Sequence, residues 1–259
     1  MSARDSFDLL RAAFLNPEGI GMLANDQMAT SLVTKICQPN KIFIDVGAHI
    51  GSVISAVMQH DRSIRIIAIE AIPEKVASLQ RKFPLVEFHW CAVSDSEGEA
   101  PFFINTRQSG YSSLGRQPTG ASDQYIAEIR VPIKKLDTLI SSSDVDVIKI
   151  DVEGAELGVL RGCANLLARS RPTVMFESGP FDNEGLRNTK ETLWEVLFDQ
   201  NYVVLVPNRV AHNDSGLSKE CFIESHLYPR RTTNYFAIPK ERRMELRDRA
   251  RKVLKIPVS

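Results

Sequence analysis

From Lys41 onward, short apolar runs alternate with amphipathic stretches, and this alternation constrains the fold more than any other feature of the chain. Residues 41–46 form a β-rich run closed by Gly47, the pattern of a strand buried on both faces. The next stretch, 51–59, predicts a helix, and 64–70 a second strand. Pro73 opens another helix to about residue 82, at a first-turn position that tolerates proline. Further strands are expected at 86–93, 146–151 and 173–177, with helices over 153–168 and 186–200. Strands alternating with helices build a parallel sheet covered by helices on both faces. The last two strands, 202–206 and 234–238, have no clear helix between them. They are expected to pair antiparallel across the long polar loop 207–233.

Between residues 94 and 139 the alternation breaks. Strands at 100–104 and 129–133 flank the polar loop 105–123, which is long for a compact domain and is a candidate lid. It carries Tyr111, Arg107 and Arg116. An aromatic beside guanidinium groups suits a sugar ring or a phosphate, as it also suits a solvated loop, and Arg230-Arg231 read the same way.

The chain has 259 residues, enough for one large α/β domain. Residues 1–40 read as an N-terminal helical extension, broken at Asn16-Pro17-Glu18-Gly19, and 41–239 as the main domain. Residues 240–259 read as a basic C-terminal helix, with eight basic and three acidic residues between 240 and 255 that are solvated by default. A hydrophobic content of 43% can fill a core, which argues against disorder. Lys+Arg and Asp+Glu balance at 32 each, so no global charge draws in nucleic acid or an anionic surface. Cys37, Cys91, Cys163 and Cys221 are too dispersed for a zinc site or a disulfide framework. No run approaches the roughly 20 apolar residues of a membrane span, and no signal-peptide run opens the chain. A cytoplasmic protein is expected. Peripheral membrane contact and homo-oligomer formation are left open.

Acids gather at the strand ends. Asp45 closes the first strand ahead of Gly47 and Gly51. Ligands of open α/β sheets bind beyond the carboxyl ends of the strands, and a glycine lets the backbone approach them. Asp45 is placed to take an ammonium group, directly or through water. Glu70 ends the second strand about 20 residues later, where a carboxylate can accept both hydrogen bonds of a ribose diol. Two such acids match a nucleoside carrying an amino-acid tail, namely S-adenosylmethionine. Gly47-Ala48-His49-Ile50-Gly51 lacks the second glycine of the dinucleotide fingerprint, which weakens the alternative of an NAD-dependent oxidoreductase. A non-catalytic nucleotide-binding module is the other alternative. Ala92 and Val93 are placed to pack on an adenine and Asp95 to accept from its amino group, although 95–98 is equally good turn chemistry.

Taken in order, Asp45–Gly51, Glu70, Ala92-Val93-Ser94-Asp95, Ser112-Ser113-Leu114, Leu136-Asp137 and Ile148-Lys149-Ile150-Asp151-Val152-Glu153-Gly154-Ala155-Glu156 resemble the FkbM family of S-adenosylmethionine-dependent O-methyltransferases. The resemblance covers roughly residues 40–180, and Ile148–Glu156 is its most specific part. It implies a Rossmann-like class I methyltransferase fold: a seven-stranded, mostly parallel sheet ending in an antiparallel pair. It also implies methyl transfer to a hydroxyl of a sugar, glycan or natural product, with Ser112 and Ser113 near the cofactor. His49 departs from the family, which commonly has Asn there. The expected cofactor residues are Asp45, Gly47, His49, Gly51, Glu70, Ala71, Ala92, Val93, Asp95, Ser112, Ser113 and Asp151.

A hydroxyl is a poor nucleophile while protonated, so a carboxylate or histidine within reach must take its proton. Asp151, Glu153 and Glu177, at the fourth and fifth strand ends, are the candidate catalytic residues. Glu153 also suits a helix start, where the dipole favours an acid. Glu156 is expected on the helix face or in a surface pair. A divalent metal held by these acids with His49, His212 or His226 is a minority alternative, because no tight ligand motif supports it.

Overall fold

The computed structural model describes residues 3–115 and 125–257. Two helices come first, α1 (Ala3–Leu15) and α2 (Ile20–Val33), separated by a 3-10 turn at Pro17–Gly19. There follow β1 (Ile42–Val46), α3 (Ser52–His60), β2 (Arg65–Glu70), α4 (Pro73–Lys82), β3 (Glu87–Trp90), β4 (Ala92–Val93), β5 (Gly98–Asn105) and β6 (Ile126–Lys134). The second half holds α5 (Leu136–Leu139), β7 (Val145–Ile150), α6 (Glu156–Gly162), α7 (Ala164–Ser170) and β8 (Thr173–Glu177). It ends with α8 (Lys190–Asp199), β9 (Tyr202–Leu205), α9 (Lys219–Glu224), β10 (Asn234–Pro239) and α10 (Arg243–Leu254).

The main sheet has seven strands in the order β3-β2-β1-β7-β8-β10-β9. The first five run parallel, and β10 lies antiparallel between β8 and β9. The expected parallel sheet with an antiparallel end is therefore present. Strand order reverses beside β1, so the carboxyl ends of β1, β2 and β7 open a crevice, the position at which such sheets bind ligands. β1 and β7 are buried at every position, which is why both read as near-continuous apolar runs.

Three boundaries differ from expectation, and the polar loop expected over 207–233 contains a helix, α9. The run 86–93 is two strands, because β4 leaves β2 and pairs with β6 in a separate three-stranded sheet, β4-β6-β5. The helix expected over 153–168 starts only at Glu156. Glu153 and Gly154 have φ of 55° and 88°, left-handed conformations that no helix start accommodates. It also breaks at Cys163, where the Asp137 carboxylate accepts the Asn165 and Leu166 amides at 3.0 and 2.7 Å and so caps a second helix. The helix expected from 186 starts at Lys190, where Thr189 and Thr192 form a capping box.

Apolar side chains pack on both faces of the sheet. α5–α9 cover one face through residues such as Leu160, Leu166, Leu197 and Phe222. α2, α3, α4 and α10 cover the other, where Leu32, Ile54, Leu79 and Leu246 meet Phe43 and Phe236. Arg242 and Arg249 of the basic C-terminal segment are not solvated cations. Both pair with buried Asp146 at the start of β7, at 2.8 and 2.7 Å, and Arg251 donates to the Ala211 carbonyl at 2.9 Å. Among the described residues, no helix is long and apolar enough to cross a membrane.

Candidate active site

A cavity of about 200 Å³ lies at the carboxyl ends of β1, β2 and β7. Gly47, Ala48 and His49 form its floor. Gly47 has φ 82°, and a Cβ there would meet the Asp151 carbonyl oxygen at 1.9 Å, so only glycine fits. Glu70 turns its carboxylate into this space. Its Oε2 accepts the His49 amide at 2.8 Å and its Oε1 the Ile72 amide at 2.9 Å, which fixes the carboxylate and leaves lone pairs for a ligand. Ala71, Ala92, Val93, Cys91 and Phe102 form the apolar wall, and Ser112 and Asp151 also line the cavity. A carboxylate for a diol, an apolar wall for a planar base and a glycine cradle for a small tail fit S-adenosylmethionine.

Four expected cofactor residues do not line the cavity. Asp45 is fully buried and faces Lys149, whose Nζ is 3.1 Å from Asp45 Oδ1, an ion pair rather than an aligned hydrogen bond. The contact expected between Asp45 and a ligand ammonium is corrected to this internal pairing. Gly51 adopts φ 77° at the start of α3, and a Cβ there would strike Phe83 and Leu79. Asp95 is exposed, outside the cavity wall. Ser113 is buried and its Oγ donates to the Val152 carbonyl at 3.3 Å. Gly51 and Ser113 shape the site from behind.

Lys149 is the residue that the sequence reading missed. Its Nζ donates to the Gly47 carbonyl at 2.8 Å and lies 3.3 Å from Asp151 Oδ2. Burial alone would depress its pKa, but Asp45 and Asp151 more than offset that and hold it above the ordinary lysine value. The signal was present: a lysine inside a strand buried on both faces must have carboxylate partners. Asp45 itself is shifted upward by burial, against the pull of Lys149.

Asp151, Glu153 and Glu177 converge as expected, with one carboxyl oxygen of each within 4.8 Å of the others. Burial pushes the Asp151 carboxyl up, but Lys149 and a hydrogen bond with Glu177 outweigh it, so Asp151 stays ionised. Burial and the Asp151 charge push Glu177 up to about 10. Burial, Asp151 and Glu156 push Glu153 up to about 8. Such a set can share protons or hold a cation, and the Asp151–Glu177 hydrogen bond is the proton-sharing form. Glu153 does not start a helix. Glu156 is buried rather than at the surface. Its carboxylate accepts the Val152 and Gly154 amides at 3.3 and 3.1 Å and Asn188 Nδ2 at 3.0 Å, clamping the turn that presents Glu153.

Glu153 lines two cavities. The second, of about 340 Å³, runs past Glu177 and Ser178 toward Tyr111, Phe181 and Arg230. In the candidate lid, Ser109, Gly110, Ser112 and Leu114 roof the first cavity and Tyr111 reaches the second. His49 Nε2 is hydrogen-bonded to Ser109 Oγ at 3.2 Å, and Lys75 Nζ donates to the Ser109 carbonyl at 3.0 Å. Arg107 stacks on Tyr125, its guanidinium 4.4 Å from the ring centroid. Arg116 lies outside the described residues. His226 is buried, its ring nitrogens 2.8 Å from the Phe222 carbonyl and from Ser178 Oγ, and His212 is exposed, so neither joins the acids.

A seven-stranded sheet, parallel but for β10 and covered by helices on both faces, with an acid-rimmed crevice, is the Rossmann-like architecture that the resemblance implies. Residues 45–204 match the model of the methyltransferase FkbM domain, and the chain belongs to that family. It therefore carries a methyltransferase domain, and the cofactor of that family is S-adenosylmethionine. This excludes the dinucleotide alternative. The chain is similar to "Methyltransferase 1" of Beauveria bassiana, with 24% identity over 145 residues, 48% of this chain and 58% of that one. Among solved structures, methyltransferase FkbM from Methylobacillus flagellatus aligns at 16% identity and a TM-score of 0.47. That alignment covers 77% of this chain and 43% of that one. A TehB-like SAM-dependent methyltransferase from Corynebacterium glutamicum aligns at 10% identity and a TM-score of 0.42, over 91% and 93% of the two chains. The chain thus spans little more than half of the curated relative and less than half of the FkbM structure.

Proposed function

We propose that the protein is an O-methyltransferase acting on a hydroxyl of a sugar, glycan or natural-product acceptor. The observation that carries this reading is the position of Glu153, on the wall shared by the cofactor cavity and the second cavity. The cofactor, when bound, supplies the methyl group. Glu70 would hold its ribose, the Gly47–His49 turn its amino-acid tail, and Ala92 and Val93 its adenine. Ser112 lines the same cavity, and Ser113 holds the Val152 carbonyl behind it.

An acceptor in the second cavity brings its hydroxyl to Glu153. A carboxylate with a pKa of about 8 is a stronger base than an ordinary glutamate, which suits it to take the hydroxyl proton. Asp151, ionised beside Lys149, accepts the Glu177 proton in a hydrogen bond, and the pair fixes the place at which that hydroxyl meets Glu153. Because the base must be deprotonated, turnover rises with pH through about 8 and then levels off. A reducing, cytoplasmic setting goes with this reading, since all four cysteines are unpaired and Cys37, Cys91 and Cys163 are buried.

Calorimetry with S-adenosylhomocysteine tests the first half. Glu70→Ala should weaken binding roughly 10–100-fold, the loss of two ribose hydrogen bonds; unchanged affinity would refute the assignment. For the second half, release of S-adenosylhomocysteine is followed with a panel of hydroxyl acceptors. Asp151→Asn and Glu153→Gln should abolish turnover while cofactor affinity persists, and Glu153→Gln should remove the rise near pH 8. Retained turnover in both variants would refute it.

A further inference from the structure

The second cavity contains two cations in different states. Lys190 Nζ lies 2.7 Å from Asp182 Oδ1 and is neutralised there. Arg230 is half-buried, lines the same cavity, and among the described residues has no ion-pair or side-chain hydrogen-bond partner. A half-buried guanidinium with its five donors unmet is the chemistry of an oxoanion site, because the planar fork matches a carboxylate or phosphate.

The segment around Arg230 is held from both sides. Tyr228 donates to Glu18 Oε2 at 2.6 Å, in the turn between α1 and α2. Asn25 Nδ2 donates to the Arg231 carbonyl at 2.8 Å. The Asp26 carboxylate accepts from Thr232 Oγ1 at 2.6 Å, the Thr233 amide at 3.0 Å and Asn234 Nδ2 at 3.2 Å. The Arg231 amide donates to the Ser225 carbonyl at 3.0 Å. With this backbone already held, binding at the guanidinium adds no cost of ordering the loop. The acids lining the cavity carry reduced charge: Glu153 and Glu177 are pushed up to about 8 and about 10 and are largely uncharged at neutral pH, and Glu156, pushed up to about 7, is held by the Val152 and Gly154 amides and Asn188 Nδ2. Asp151 is ionised but paired with Lys149.

We propose that Arg230 docks an anionic group, a carboxylate or a phosphate, on the acceptor, and so selects sugar acids or sugar phosphates over neutral sugars. This rests on the reading of the second cavity as the acceptor site. Tyr111 and Phe181, 50% and 75% exposed on the same cavity, offer apolar faces to the rest of the ring.

The test begins with calorimetry of S-adenosylhomocysteine on the full chain. Absence of binding overturns the function proposed above, and this inference with it. On protein saturated with that ligand, glucose, glucuronate and glucose 6-phosphate are titrated by saturation-transfer NMR. One or both anions should bind about tenfold tighter than glucose, and whichever does so identifies the source as a sugar acid or a sugar phosphate. Arg230→Ala should bring the anions down to the glucose level with cofactor affinity unchanged. Arg230→Lys should retain part of the preference through its point charge. Equal affinity for all three sugars, no binding of any, or an anion preference that survives Arg230→Ala overturns the proposal while leaving the methyltransferase reading intact.

Discussion

Glu153 and Glu177 keep their protons to unusually high pH because burial and the Asp151 charge both oppose their ionisation. For Glu177 this has a consequence for stability. In the unfolded chain the carboxyl ionises near its ordinary value of 4.5, whereas in the fold it does so near about 10. Between those values the unfolded chain binds fewer protons than the native state, so stability falls as pH rises. Glu177→Gln keeps a donor for Asp151 but cannot ionise. Thermal melting should show the variant more stable than wild type by a few degrees at neutral pH, with the difference vanishing near pH 4.5. A variant less stable than wild type at pH 8 would place Glu177 in its charged form. The three acids were legible in the sequence because strand ends of a parallel sheet share one edge. Their protonation states were not, since these depend on distances between residues 26 positions apart in the chain, as for Asp151 and Glu177.

At the scale of elements, the ends of β1 and β7 are joined by one buried lysine. Lys149 reaches from β7 to Asp45 and to the Gly47 carbonyl on the β1 side, and to Asp151 at the end of its own strand. The apolar runs announced both strands and their parallel pairing. They did not announce that Asp45 turns inward, because a strand-end acid can face ligand or lysine and only the register Asp45↔Lys149 decides between them. Removing one partner leaves a buried charge without compensation. Lys149→Met should cost about 3–5 kcal/mol in urea unfolding at neutral pH, and less in acid, where Asp45 takes up a proton. Adding Asp45→Asn should recover part of the loss. Equal stability of the single variant and wild type would show the pair to be solvated.

At the scale of the whole molecule, α2 and α10 pack against one face of the sheet. Leu32 and Val33 of α2 and Leu246 and Ala250 of α10 are fully buried beside Phe43 and Phe236. Arg242 and Arg249 tie α10 to Asp146. Leu32→Ala should therefore cost about 2–5 kcal/mol, the range for a cavity opened in a core. Chemical denaturation should show one cooperative transition moved to lower denaturant. An unshifted midpoint would make α2 a detachable extension. The segment 231–234, clamped on Asn25 and Asp26, gives α2 a further place at the mouth of the second cavity.

By itself the sequence determined the parallel sheet with its antiparallel end, the crevice it must open, and the acids Glu70, Asp151, Glu153 and Glu177 around that crevice. These follow from periodicity and from which residue closes each strand, and both are local properties of the chain. The tertiary structure alone decided that β4 leaves the main sheet, that Asp45 faces Lys149 rather than the cavity, that Glu156 clamps the Glu153 turn, and that Arg230, without an ion-pair partner among the described residues, lines the same cavity as the acids. The β4–β6 and Asp45–Lys149 pairings and the Asn188 contact that buries Glu156 join residues distant in sequence, and a buried charge takes whichever partner the packing brings within reach.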